Sequence, residues 1–403
     1  MFKKIIAVIM ALTMLFVFAS CKGKEEAATE TTRNANQPLA DVTSQELNIP
    51  DKKVAILVAA ESQYTEDYRA AKELEEKYPD TVTVREYPET STLVAGDPDI
   101  MNISKEIAAD SAYGAIVYAR ATQYTADAIR VAKEVNPDIK TICIEPEGSV
   151  DRLAKKSDLI LCVDWVKAAN DIVAAAKEQG AEYFLMFSHT RHISGSSALD
   201  SLVMLYATAK NAFDVACEEQ GISFVFDTAP DPTYSGGIND VNQYMREAVA
   251  RHLESEKIAG KNVAVFSTDA FAQKELLKIA DEREFIYISP SFPTAYDGLR
   301  EAFEIDMPES IADVATYVDN AKDAVSGNAK YSIYTYPLAS VMLYTAVYCA
   351  FDILSGDTTS ENLGEMTMMR ANDCAGSDEF TIEAFSSYAN VYAAYCPAFE
   401  IIK

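Results

Sequence analysis

The chain has 403 residues, with 35 lysines and arginines against 62 aspartates and glutamates, a net charge of −27, and 49% of it is hydrophobic. So acidic a chain repels phosphate backbones and anionic lipid heads at long range, which excludes nucleic acid as a partner. The apolar share is ample for folded cores.

In chain order, Lys3 and Lys4 precede an uncharged apolar stretch from Ile5 to Phe18, then the small residues Ala19 and Ser20, then Cys21. This reads as a signal peptide over residues 1–20 that ends in a lipobox, with Cys21 as the lipid attachment site. A small residue directly before a lone Cys suits lipidation of the thiol and cleavage in front of it. Phe18 departs from the usual aliphatic residue at its position. The expected location is therefore the extracytoplasmic face of the cell membrane, held by the lipid. No other segment is expected to span a bilayer, which needs about 20 apolar residues. Residues 21–50, rich in Glu, Ala, Thr, Asn and Gln without apolar periodicity, are expected to form a disordered tether.

Roughly 350 residues follow, too many for one core of ordinary size. Apolar β-rich runs at 54–59, 82–87, 115–119, 141–145 and 159–164 alternate with helical stretches at 67–78, 100–110 and 126–135. A helix over 166–179, stopped by Gly180, leads to a second series: runs at 183–188, 223–227, 263–267 and 285–289. Helices at 197–220 and 238–259 separate them, each followed by Gly. Strands alternating with helices predict an α/β fold of two doubly wound parallel-sheet lobes. The helix 337–354 is too apolar to face solvent and must pack on something already built.

Seven cysteines are present. With Cys21 lipidated, six remain. Cys143 and Cys162 lie in apolar runs, and pairing among Cys349, Cys374 and Cys396 stays open.

The lipobox and tether, the two βα series, and the stretch Tyr336, Pro337, Ala339, Tyr344, Ala346, Ala350, Leu354, Ser355, Gly356 together resemble the type I periplasmic binding proteins. The nearest likeness is to uncharacterised lipoproteins of anaerobic bacteria related to the basic membrane protein group, whose relatives bind nucleosides. The ligand residues of those nucleoside binders do not map onto this chain. The resemblance implies two lobes joined by a three-segment hinge and closing on a solute. The N-terminal lobe would comprise 51–165 plus about 325–375, and the C-terminal lobe 166–324 plus about 376–403. Crossings are expected near 164–167, near 290–294 or later, and around 373–378. The implied partners are a small-molecule solute and an ABC permease.

Ligands of open parallel sheets sit outside the carboxyl ends of the strands, where loops and helix N-termini offer unpaired donors. That rule selects Ser62, Gln63 and Tyr64 after the first strand, and Arg120, Thr122, Gln123 and Tyr124 after the third. Thr65 and Thr125 each follow a Tyr and are expected to cap the next helix. In the second lobe it selects His189 and Arg191, then Asp227, then Ser267 and Asp269, then Ser291 and Phe292. Trp165, the single Trp, falls at the first crossing. Arg120 is placed to grip a carboxylate or phosphate, with an internal salt bridge as its alternative. His189 and His192 have a spacing that metal ligands use, with Glu or Asp to complete the shell, but no Cys or third His lies near, so no metal and no cofactor are expected. No nucleophile elbow, P-loop or dinucleotide fingerprint follows any strand, which argues against an enzyme. The rival functions are a sensor or adhesin on the same fold, and a secreted hydrolase.

Overall fold

The computed structural model describes residues 47–87, 98–147, 149–193, 205–232, 237–290, 292–385 and 388–402. The proposed signal peptide, Cys21 and nearly all of the tether lie outside them.

Two sheets organise these residues. The first has seven strands in the order β11-β12-β5-β4-β3-β1-β2. They are β1 (Lys53–Ala59), β2 (Val82–Tyr87), β3 (Tyr113–Tyr118), β4 (Lys140–Ile144), β5 (Leu159–Val163), β11 (Thr381–Ala384) and β12 (Val391–Tyr395). Only the β11–β12 pair is antiparallel. The second has six strands in the order β13-β10-β9-β8-β6-β7: β6 (Tyr183–His189), β7 (Ser223–Ala229), β8 (Val263–Ser267), β9 (Ile286–Ile288), β10 (Lys330–Tyr334) and β13 (Phe399–Ile401). Here only the β10–β13 pair is antiparallel. Every residue of β5 and β8 is buried, which explains their unbroken apolar character. This is the α/β architecture expected from the alternation of elements.

Helices cover both faces. On the first sheet, α1 (Thr65–Lys77) lies beside the late helix α12 (Leu338–Ser355), and α2 (Pro98–Ala109) packs on α3 (Thr125–Val135). On the second, α5 (Trp165–Glu178) packs on α7 (Leu205–Gln220), and α8 (Gly237–Leu253) packs against α9 (Gln273–Arg283). The short helices are α4 (Val150–Ala154), α6 (Thr190–Ile193), α10 (Leu299–Phe303) and a 3₁₀ turn at Ala270–Ala272; α11 (Val314–Ala324) and α13 (Leu363–Ala375) complete the set. By length and composition α12 can span a membrane, contrary to the sequence expectation, yet it is buried against the first sheet and α1. Gly114 of β3 makes room for it, since a Cβ there would stand 2.7 Å from Leu354 Cδ2. Gly356, at φ 83°, ends the helix in the left-handed conformation that glycine adopts without strain.

The chain passes between the sheets at Asp164, at Thr335–Pro337 and at residues 396–398. The second passage falls at the later end of the expected range and the third lies beyond the 373–378 expected, because β10 belongs to the second sheet and β11 and β12 to the first. Val391 to Ala394 continue the parallel ladder of β5, in register with Ile160 to Val163. An extra β-rich run after a long helix carries no sequence mark of which sheet it joins. Backbone bonds tie the passages together, Thr335 N–H donating to Ala398 O at 2.8 Å and Asp164 N–H to Ala394 O at 3.0 Å.

The six described cysteines are buried free thiols. Burial pushes the Cys143 thiol up to about 12.

Candidate functional site

The segments that follow β1, β3, β4, β6, β8 and β9 line a cavity of about 360 Å³ between the two sheets. The first half contributes the turn after β1 with Ser62, Gln63 and Tyr64, Arg120 directly after β3, and Glu147 beyond β4. The second half contributes His189 at the end of β6, His192, Tyr206, the turn after β8 and the loop after β9.

Two non-glycine residues at strand ends facing this cleft, Glu145 after β4 and Ser289 after β9, have φ of 45° and 46°. Left-handed backbone at such residues costs about 1–2 kcal/mol each.

On the first side the arrangement centres on Arg120. Its Nε donates to Asp67 Oδ2 at 2.6 Å, both side chains are buried, and the guanidinium lies 4.3 Å from the centroid of the Tyr64 ring. Asp67 stands in the first turn of α1, so the helix that follows the Ser62–Tyr64 turn also orients the Arg. Burial holds the Tyr64 phenol well above its ordinary range, with the Glu147 charge adding to it. Glu145 accepts from Val163 N–H at 2.5 Å, and burial pushes its carboxyl up to about 7. Because Asp67 already occupies Nε, Arg120 meets any ligand as a largely compensated charge.

The second side is built on a braced turn. Asp269 Oδ1 accepts from Phe271 N–H at 3.0 Å and Ser267 Oγ from Asp269 N–H at 3.1 Å. The buried Gln273 Nε2 donates to Ser267 O and Asp269 O, both at 3.2 Å, while Tyr287 Oη–H donates to its Oε1. Ser267, Thr268, Asp269 and Phe271 thus reach the cavity from a rigid support. Beside it the rings of His189 and His192 lie tilted at 36° with centroids 3.7 Å apart, and Tyr206 stacks on His192 at 4.2 Å. Among the described residues no group of three or more His, Cys, Asp or Glu can hold a metal ion.

The halves are bonded to one another along α1. Glu66, fully buried, accepts from Ala295 N–H at 2.7 Å on one oxygen and from Ser340 N–H and Oγ–H at 3.0 and 3.1 Å on the other. It thereby caps the N-terminus of α12 from outside while gripping the loop after β9. Burial pushes its carboxyl up to about 8 even against those donors. Thr65 N–H donates to Asp297 Oδ1 at 3.1 Å, Arg300 Nη2 to Thr65 Oγ1 at 3.0 Å, and Ile311 N–H to Glu73 Oε1 at 3.0 Å. Burial, with Asp67 nearby, pushes Asp297 up to about 6.

Of the residues selected from sequence, Ser62, Gln63, Tyr64, Arg120, His189, Ser267, Asp269 and Phe292 line the cavity. Thr122, Gln123, Tyr124, Trp165 and Asp227 do not. Thr122 Oγ1 accepts from Tyr124 N–H, and Gln123 Nε2 donates to Tyr124 Oη, so that loop bonds to itself. Neither Thr65 nor Thr125 caps its helix: both N-caps are Tyr, and Thr65 Oγ1 donates to Glu61 O instead. Trp165 is buried one layer behind, its ring 5.6 Å from Tyr206 and 5.3 Å from Phe292. Asp227 sits on the edge strand β7 and accepts from Tyr244, Arg251 and His252, each at 2.7 Å. Burial opposes its ionisation, but these donors outweigh it and hold the carboxyl below its usual range. The Arg191 side chain and Ser291 lie outside the described residues. Glu147, Tyr206, Asn242, Phe271, Gln273, Lys274, Glu275, Lys278, Thr294 and Asp297 also line the cavity and were not selected. Most belong to helices or loops several residues past a strand end, beyond the reach of a strand-end rule.

Residues 52–331 match the family described as Protein of unknown function (DUF3798). The chain belongs to the DUF3798 family. An uncharacterized protein of Treponema pallidum (strain Nichols) is 22% identical over 171 residues, 42% of this chain and 74% of its own length. A putative transcriptional regulator from Clostridium difficile 630 superposes with a TM-score of 0.58 at 20% identity, over 88% of this chain and 99% of its own. The substrate-binding protein of a sugar ABC transport system from Bordetella parapertussis 12822 gives 0.52 at 10% identity, over 90% and 92%. At these identities the likeness is one of fold, and it is the fold of the periplasmic binding proteins.

Proposed function

We propose that this protein is an extracytoplasmic solute receptor, anchored by a lipid on Cys21, that binds a small polar solute in the cavity between its two sheets and delivers it to an ABC permease. The observation that carries this is the cavity itself: polar and aromatic side chains from both halves converge where open parallel sheets bind ligands. The sugar-transport assignment of the Bordetella protein lends the transport role its support, and the leader of charged, apolar and small residues ending at Cys21 lends the anchor its own. The ring faces of Tyr64, Phe271 and Phe292 suit a ligand with an apolar body.

A thermal-shift screen of the purified protein against sugars, nucleosides, amino acids, amines and organic acids tests the binding role. A true ligand raises the melting temperature by mass action in step with its concentration. If no class raises it, the receptor role is wrong. For the anchor, cells expressing the chain are fed labelled fatty acid: the protein should take up label, Cys21→Ala should not, and label on both places the lipid elsewhere.

A further inference from the structure

The chain between β9 and β10 does not stay with its own sheet. Residues 292–311 run along α1 of the first half and are bonded to it near both ends. Glu66 and Glu73 stand two turns apart on one face of α1, and each divides its carboxylate in the same way. Glu66 accepts from Ala295 N–H with one oxygen and from Ser340 of α12 with the other. Glu73 accepts from Ile311 N–H with Oε1 and from Tyr344 Oη–H of α12 with Oε2, both at 3.0 Å. Between them Arg69 Nη1 donates to Pro308 O at 3.3 Å, and Thr65 bonds Asp297 and Arg300.

Aromatic rings fix the same residues to the second half. Phe292 lies 4.8 Å from Tyr334 of β10, and Phe303 lies 5.7 Å from Tyr331 of the same strand. Tyr296 is wholly buried, with its ring 4.9 Å from that of Tyr317 on α11, and Tyr317 Oη–H donates to Tyr296 O at 2.8 Å. Tyr296 Oη–H in turn donates to Ile311 O, which draws the two ends of the segment together. Hinge motion needs a few residues that absorb the rotation and facing surfaces that can part. Here a rotation that parted the halves would have to break the bonds on α1 together, or strip these rings from α11 and β10.

We infer that residues 292–311 are a strap that locks the halves together, so that the cavity keeps one width whether or not it holds a solute. The strap ties the wall that carries Tyr64 and Arg120 to the wall it supplies itself with Phe292, Thr294 and Asp297. This departs from the hinged closing that the resemblance implies, and it holds independently of what the cavity binds.

The test therefore uses no ligand. Nitroxide labels on Lys105→Cys of α2 and Asp214→Cys of α7, both exposed positions, report the separation of the halves by pulsed electron resonance. The full chain is used with Cys21→Ser, and its six described thiols are buried. One narrow distance is expected, and Glu66→Leu with Glu73→Leu should broaden or lengthen it. A broad or two-peaked distribution with both glutamates in place overturns the lock. A narrow one that survives the double substitution assigns the holding to other contacts and overturns the strap. If the double variant does not fold, hydrogen exchange of the chain with both glutamates decides. The amides of Ala295 and Ile311, whose acceptors both stand on α1, should exchange about a hundredfold or more slower than in an unstructured chain. Exchange at the unstructured rate overturns the inference. None of these results bears on the receptor role, which the thermal-shift screen decides separately.

Discussion

Arg120 and Asp67 offer the sharpest test of how the site is built. Their contact is 2.6 Å with both groups buried. At an effective dielectric of about 20, unit charges about 3 Å apart attract by roughly 5–6 kcal/mol, most of it offset by the desolvation of both ions. The net worth of such a pair is small, but removing one partner strands the other. Arg120→Met should therefore destabilise by about 3–5 kcal/mol, and Asp67→Asn by a similar amount. The double variant Arg120→Met with Asp67→Leu should recover at least half of the summed loss, because no uncompensated charge remains. Urea unfolding at pH 8 measures each. The sign with pH follows from Asp67, whose carboxyl is raised by burial against the pull of Arg120. Without Arg120 its folded pKa rises further above the unfolded one, so protonation stabilises the variant at low pH and that help is lost as pH rises. The Arg120→Met deficit should thus shrink between pH 8 and pH 5. Additive single losses, or a deficit that grows on acidification, would refute the buried-pair account.

Other consequences are as direct. Glu66 has a folded pKa of about 8 against an ordinary 4.5, so its contribution is fully present below 4.5 and lost as pH rises towards 8. Unfolding free energy should fall by a few kcal/mol over that window, and Glu66→Gln should flatten the slope; an unchanged slope assigns it to other groups. Gln273→Ala removes two donors from the turn at 267–269 and the acceptor of Tyr287. It should cost about 1–3 kcal/mol of stability and weaken any ligand found in the screen, and normal affinity would show that the turn holds itself. Arg370, in two buried bonds of 2.7 and 2.8 Å to Asp352, joins α13 to α12. Arg370→Leu should cost about 3–5 kcal/mol in urea unfolding without touching ligand affinity. The native protein should leave a thiol reagent unreacted until denaturant exposes Cys143, Cys162, Cys217, Cys349, Cys374 and Cys396; rapid native reaction would contradict their burial.

The fold was legible because its strands are buried on both faces and its helices end on glycines: β5 reads as a continuous apolar run, and Gly180, Gly221 and Gly356 all have positive φ. What escaped was set by long-range partners. Nothing local assigns Val391–Tyr395 to β5. Asp227 has the residue type and strand-end position of a ligand group, and only the return of α8 to it reveals an ion cluster. Conversely Glu147, Tyr206 and Asp297 look ordinary in sequence and become cavity walls through tertiary placement. The strand-end rule worked at the turn after β1, at Arg120 and at His189, and failed where a loop bonds to itself, as at Thr122–Tyr124, or where the strand lies at the sheet edge, as at Asp227.

The burial of α12 has a consequence for synthesis. The ribosome releases β1 to β5 early, but the helix that covers one face of that sheet ends at Ser355, and its edge strands end at Tyr395. Strands β6 to β10, with the helices between them, are available before α12 emerges. The second half, lacking only its edge strand β13, can therefore condense while the first still exposes apolar surface, and the half made first waits on the C-terminal part of the chain for its cover. A fragment ending before Leu338 should accordingly be prone to aggregate, however complete its strand count looks.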